Sequence, residues 1–493
     1  MNLVSELHRE DAYTSRPGRE EVRRRTLPGW NHGDLVLAII AFCFLAVSVP
    51  VVIRGAPLAD DFNNCLAPQE LGLGGFAAES WDRLGAIRLA RFPEIALTTG
   101  VCRSLPFAVA IVVPLLLTLG TAWLVRGLLR DLLVPDPWPG IAGAAWLLQP
   151  LGTESALWPA ALHVPLGLAL GIGALRMHRA NRHAWACVCV AGAVASVEQL
   201  ILVMPVAAGL VTPEPGRRRA VISTTAVVVI ALIAFAAWPG DDPRLNPTLS
   251  DRISGAFEDP FFYMRFAAVG LGMHSIPLAL KWSLPLGVLV LLIGGLAGWR
   301  LLGARIQKRR EHAGLPTRAV IWLALLVLLA NVPVALNVLH QGSPRIFAPT
   351  WLIIAVGLGV LGPHLIHKRR AVAGAAFGVF AAGALLSLAF SGWVRTQNAD
   401  ATENAANAIA QRTPDGTHVA VCDVRRSVVD DAPRGAFATT EFIYDWAASD
   451  VVAYYTDLRV TVSIAGELWD RPCPSEAVVD AVFSFPELTR DTE

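Results

Sequence analysis

A series of long apolar runs, each cut off by a short connection rich in arginine, decides the fold class of this chain. The runs cover residues 34–53, 104–128, 139–150, 155–177, 184–197, 198–211, 219–237, 284–303, 318–339, 347–366 and 370–392. About 20 apolar residues wound as a helix cross the ~30 Å hydrocarbon core of a bilayer. Lipid offers a backbone no water to bond, so such spans close their hydrogen bonds internally, as helices do. With 54% hydrophobic and only 16% charged residues over 493 positions, a water-soluble fold has no interior large enough to hide the runs. The sequence predicts an all-α multi-pass membrane protein with about eleven transmembrane helices. The runs 139–150, 184–197 and 198–211 are shorter than a full crossing.

The arginines then predict orientation. "RPGREEVRRRT", "RMHRANRH", "PGRRRA", "RIQKRREH" and "HKRR" all fall on one side of an eleven-span chain, and cytoplasmic loops are the ones that carry such an excess. Residues 1–33 are therefore expected as a cytoplasmic tail, 34–393 as the membrane domain, and 394–493 as an extracytoplasmic C-terminal domain in the cell membrane. The first run starts well into the chain without a small-residue cleavage site, so it reads as a signal anchor. Two further segments, 54–103 and 238–283, are expected as outer loops. "FFYMRFAAVGLGMHSIPLAL" in the second is apolar and should lie in the interface.

Composition changes after 394. "ENAANAIAQR" and "FIYDWAASDVVAYYT" read as helices, and "THVAVCDV" and "LRVTVSIAG" as strands, which predicts a small α/β domain. Each outward segment holds two cysteines, Cys65 and Cys102 in the first, Cys422 and Cys473 in the last. An oxidising compartment favours one disulfide in each. Cys43, Cys187 and Cys189 lie in membrane segments as packing residues.

Ionisable groups at membrane depth are expensive and mark function. Four clusters map to the outer face. Asp60 and Asp61 follow the first span by a few residues, and on an extended segment neighbouring side chains point to opposite sides. Glu154 lies in "QPLGTESALW", where capping of a helix first turn is a sufficient structural explanation. Glu198 lies in "ASVEQLILVMP", between two short runs. Arg345 lies in "LHQGSPRIFAP", near His340, and offers a planar fork of donors suited to phosphate oxygens. The chain carries no phosphate-binding glycine loop, dinucleotide fingerprint, HExxH or metal-spaced His/Cys set, and no cytoplasmic loop large enough for a nucleotide-binding domain. Nothing points to nucleic acid.

An Asp-Asp in the first outer loop, then "TESALW", then "SVEQLILVMP", then an outer arginine followed by an apolar helix resembles the GT-C superfamily of polytopic glycosyltransferases. The second and third elements look like motifs of protein O-mannosyltransferase relatives. The likeness spans roughly 34–366. It departs at Val197, where the family pattern has lysine, around His163, where a basic residue is replaced, and at Arg345-Ile346, where the pattern reads Arg-Tyr. The resemblance implies a polyprenyl-phosphate-linked sugar donor held in membrane lipid, and an extracytoplasmic glycan or protein acceptor. It implies that Asp60 or Asp61 is the general base, with the other positioning the acceptor or a divalent cation (Mg2+ or Mn2+, with Asp61 as the ligand). Arg345 and His340 would bind the donor phosphate, with Glu154, Glu198 and His163 supporting the acceptor. A single in-line displacement would invert the anomeric centre. The competing readings are a flippase or transporter of a lipid-linked glycan, and a non-catalytic membrane protein.

Overall fold

Six helices are long and apolar enough to cross a membrane among the residues described by the computed structural model: His32–Arg54, Ala108–Asp131, Pro159–Arg179, Arg217–Ala237, Arg345–His364 and Val372–Arg412. The described residues are 31–84, 91–149, 153–238, 315–335, 344–365 and 370–425, most of 427–429, 447–465 and 472–489, and isolated positions elsewhere. Residues 1–30 of the expected tail 1–33, nearly all of the run 284–303 and of the loop 238–283, and His340 lie outside them.

In chain order the helices are α1 (His32–Arg54), α2 (Asp60–Leu84), α3 (Arg91–Ser104), α4 (Ala108–Asp131), α5 (Trp138–Leu147), α6 (Thr153–Leu157), α7 (His163–Arg179), α8 (His183–Ser196), α9 (Leu200–Val211), α10 (Arg217–Ala237), α11 (Leu315–Ala335), α12 (Ala348–Leu365) and α13 (Arg370–Arg412). Short 3-10 turns at Pro159–Ala161 and Pro344–Phe347 lead into α7 and α12. Helices α5, α8 and α9 are shorter than a span.

Three expectations need correction. The segment 54–103 is mostly helical as α2 and α3, so Asp60 and Asp61 stand in a helical first turn and not on an extended stretch. A helix N-terminus favours acids there. The expected crossing 155–177 is broken at Trp158, because Pro159 cannot continue α6. The run 370–392 does not end at the domain boundary placed at 394. Residues 393–412 contain neither glycine nor proline and are alanine-rich, so α13 continues for 43 residues, until Thr413-Pro414.

Small residues bring the helices close. A Cβ on Gly140 of α5 would stand 2.0 Å from the Gly33 carbonyl of α1, and one on Gly143 would stand 2.7 Å from the Ala122 carbonyl of α4. Without a hydrophobic drive between spans, close backbone approach and packing hold them together. At one end Asp34 of α1 receives Arg126 at 2.5 and 2.6 Å and Arg130 at 2.8 Å, both from the last turns of α4. At the other end Gly55, in the left-handed region at φ 58°, lies against Ala108, where α4 begins. The two helices are antiparallel, and the bundle has an arginine-rich end and an opposite end.

At that opposite end α13 leaves the bundle and enters the C-terminal unit. Strands β1 (His418–Cys422), β2 (Thr461–Ile464) and β3 (Ala481–Ser484) form a parallel sheet of order β2-β1-β3, with Val419 paired to Val462 and to Ala481. Helix α14 (Ala448–Thr456) crosses from β1 to β2, and a last turn, α15 (Phe485–Leu488), follows β3. The core of this unit joins Ala405 and Ile409 of α13, Val419, Val421, Val451, Phe442 and Phe485, and it includes Phe62 of α2. The strands over 418–422 and 461–464 fall within the segments read as strands, whereas β3 was not anticipated.

Candidate functional site

The bundle end opposite the arginines gathers the polar groups singled out above. Asp61 is fully buried. Its Oδ2 accepts the Leu58 amide at 3.1 Å and its Oδ1 accepts the Ala160 amide at 3.0 Å. This carboxyl ties the start of α2 to the turn before α7. Burial pushes its pKa well above the usual carboxylate value, with Asp60 adding to the rise, while the two amides and Arg395 pull the other way. Asp60, one position earlier, is only partly buried.

Trp158 connects this acid to the arginine. Its Nε1 donates to the Leu58 carbonyl at 3.2 Å, and the Arg345 guanidinium lies 4.7 Å from the centre of its ring. Stacking of this kind holds a guanidinium in place without neutralising it. Glu154 is fully buried, and its Oε2 receives the Arg345 amide at 3.4 Å. Glu198 sits partly buried in the turn between α8 and α9. The next residue, Gln199, donates to the Ile346 carbonyl at 3.0 Å, which fixes that turn against the Arg345 segment. Asp60, Asp61, Glu154, Glu198, His163 and Arg345 are thus brought to one region from five separate parts of the chain.

His163 has a partner that the sequence did not announce. Glu94 of α3 is 2% exposed, and its Oε1 meets both the His163 amide at 2.9 Å and the ring Nδ1 at 2.5 Å. With Nδ1 engaged, Nε2 is the ring nitrogen that makes no hydrogen bond among the described residues. Arg395 of α13 was missed as well. It is 3% exposed and donates to the Ala56 and Pro57 carbonyls, which clamps the connection between α1 and α2. Arg54 adds bonds to Asp400 at 2.5 Å and to Glu403.

The C-terminal unit closes over the same acids. Phe62, next to Asp61, meets Tyr454 edge-on with centroids 5.3 Å apart and Tyr455 at 5.9 Å. Asn63 donates to Asp450 at 3.4 Å. Burial raises the pKa of both Asp450 and Tyr454, and for Tyr454 the Asp61 charge adds to it. Disulfides join Cys65 to Cys102, between α2 and α3, and Cys422 to Cys473, with Cα atoms 5.6 and 5.8 Å apart. Among the described residues no three His, Cys, Asp or Glu side chains converge as a metal site, so the cation role given to Asp61 has no companion ligands there.

Below this polar end lies an apolar cavity of about 150 Å3 between α4, α7, α9, α11 and α12. It starts beside Leu200, which follows Gln199 directly, and Pro349, one helical turn on from Arg345, and runs to Leu132 and Val211 near the arginine-rich end. Its walls are almost wholly hydrocarbon. No family model matches the chain, and no curated protein matches it.

Proposed function

We propose that this chain is an integral-membrane glycosyltransferase of GT-C type, with about eleven crossings, a cytoplasmic N-terminus and an extracytoplasmic C-terminus. It moves a sugar from a polyprenyl-phosphate donor to an acceptor hydroxyl outside the cytoplasm. The observation that carries the reading is the placement of Arg345. Its guanidinium lies on Trp158, one turn above an apolar cavity in the bundle and in the same region as a pair of aspartates. A lipid phosphate needs such a cation at headgroup depth and hydrocarbon beneath it.

In this reading the prenyl chain enters the cavity walled by Leu200, Leu352 and Met204, and Arg345 binds the phosphate. Asp60 is the base. Asp61 spends both oxygens on backbone amides and holds the loop, whereas Asp60 is partly exposed beside it. The acceptor oxygen attacks the anomeric carbon as the bond from that carbon to the phosphate oxygen breaks. The acceptor proton passes to Asp60, and the electron pair leaves with the polyprenyl phosphate, whose charge Arg345 stabilises. Inversion follows from the single displacement. Glu94 orients His163 towards the sugar, and the C-terminal unit forms the acceptor side through Asp450 and Tyr454.

The test is transfer by purified protein in liposomes containing a polyprenyl-phosphate sugar. Arg345→Ala should weaken donor use, and Arg345→Lys should restore it only in part, because a point charge replaces a fork. Unchanged donor dependence in Arg345→Ala would overturn the assignment.

A further inference from the structure

The arginine-rich end holds a second polar cavity, unrelated to the aspartate site. It has a volume of about 380 Å3 and is lined by Asn181, Arg182, His183, Ala184, Trp185 and Arg219. Three of these residues open α8, whose N-cap Arg182 makes no side-chain capping bond. The first amides of a helix have no acceptor within it, and the helix dipole adds positive potential where they point.

The neighbouring arginines differ in one respect that decides the matter. Arg176 is paired with Asp131 at 2.7 Å, Arg179 donates to the Val211 carbonyl at 3.1 Å, and Arg217 is paired with Glu214 at 3.3 Å. The nearby acids are therefore taken. Among the described residues neither Arg182 nor Arg219 has a hydrogen-bond or ion-pair acceptor for its side chain, and both are exposed at the cavity. A second adjoining cavity shares Arg182 and is also lined by Arg176, Arg179 and Asp131, so a carboxylate faces an anion there, whereas no acid lines the first.

Hydrocarbon continues outward from the first cavity. Trp185 and Val188, one turn apart on α8, are 66% and 63% exposed, and Ile222, one turn beyond Arg219 on α10, is 56% exposed. Helices α8 and α10 pack side by side. A ligand with an anionic head and two apolar tails fits this arrangement, and a free anion would leave the apolar lane without a purpose. Exposed tryptophan at the boundary between charge and hydrocarbon is the position that side chain takes at headgroup level. We propose that Arg182, Arg219 and the α8 N-terminus bind the phosphate of an anionic phospholipid, whose acyl chains lie along Trp185, Val188 and Ile222. Basic pockets between membrane helices recognise such headgroups.

The proposal is tested by native mass spectrometry of the full chain, titrated with phosphatidylglycerol and with phosphatidylcholine. Phosphatidylglycerol should be retained preferentially. Arg182→Gln and Arg219→Gln should each weaken it about fivefold, and the double variant roughly 25-fold. Arg218→Gln removes the same charge from an exposed position outside the cavity and should change little. Gel filtration reads folding, and the single variants carry the test if the double variant aggregates. Equal retention of both lipids, or an Arg218→Gln loss as large as the other two, would overturn the site. Displacement of the lipid by millimolar inorganic phosphate would identify a free anion as the ligand and overturn the lipid assignment.

Discussion

Replacing Asp61 by asparagine should destabilise the protein most in acid and progressively less towards neutral pH. The carboxyl accepts two buried amides, Leu58 at 3.1 Å and Ala160 at 3.0 Å. Asparagine has one acceptor oxygen, so one amide faces an NH2 group and goes unpaired. A buried donor left unsatisfied costs ~1–3 kcal/mol. The wild-type acid has its own cost, which depends on pH. Burial raises its pKa well above 3.8, so the folded state binds this proton more tightly than the unfolded state does. Where the native state holds more protons, stability falls as pH rises. The wild type therefore loses about 1.4 kcal/mol per pH unit between the unfolded pKa and the raised folded one, whereas asparagine does not titrate. The Asp61→Asn penalty is full near pH 4 and shrinks, or reverses, above it. Thermal unfolding followed by tryptophan fluorescence from pH 4 to 8 reads this as a Tm gap of a few degrees that closes with pH. A gap that widens with pH would mean the carboxylate is stabilised as an ion, and the reasoning would be refuted.

Three further outcomes follow from packing, covalent links and topology. Gly140→Ala puts a methyl 2.0 Å from the Gly33 carbonyl, which backbone cannot yield cheaply. It should cost about 3 kcal/mol or more and appear as lost monodisperse protein, whereas Gly100→Ala, with open space around it, should not. Replacing Cys65 and Cys102 together by serine opens a link spanning 37 residues, worth ~3–4 kcal/mol by loop entropy. Non-reducing peptide mapping should recover Cys65–Cys102 and Cys422–Cys473, and four free thiols would contradict both bonds. A tag after Glu493 should be labelled from outside intact cells and one before Met1 should not; the reverse pattern would put the aspartates on the cytoplasmic side.

Much of the bundle was legible because hydrocarbon length is a local property. The runs at 34–53 and 219–237 each became a single long helix, and 104–128 did so from Ala108 onward. Pro50 and Pro114 lie inside two of them, and the helix persists because lipid offers the backbone no water to bond instead. The site was legible only as separate polar residues. Asp60, Asp61, Glu154 and Arg345 stood out by costing too much for where they lie. Glu94 did not, because "ARFPEIALT" looks like any polar loop, and its meaning comes from His163, 69 residues away. Arg395 was hidden likewise, since a clamp onto the Ala56 and Pro57 carbonyls engages backbone atoms that every residue carries and leaves no mark in the sequence. The Asp pair was read as extended because a Gly/Pro-rich lead, "RGAPLADD", resembles a loop. The chain turns at Ala59, at φ 47°, and the acids then sit where a helix start favours them.

The central claim is that Asp60 takes the acceptor proton while Asp61 holds the loop. It is tested most directly by the initial rate of sugar transfer from a polyprenyl-phosphate donor in proteoliposomes, comparing wild type with Asp60→Asn at matched protein amount and Tm. General-base assistance is worth ~10²–10⁴ in rate, about 3–5 kcal/mol of barrier. The account predicts that Asp60→Asn lowers the rate by at least about two decades with Tm unchanged. Transfer by Asp60→Asn at the wild-type rate would contradict it.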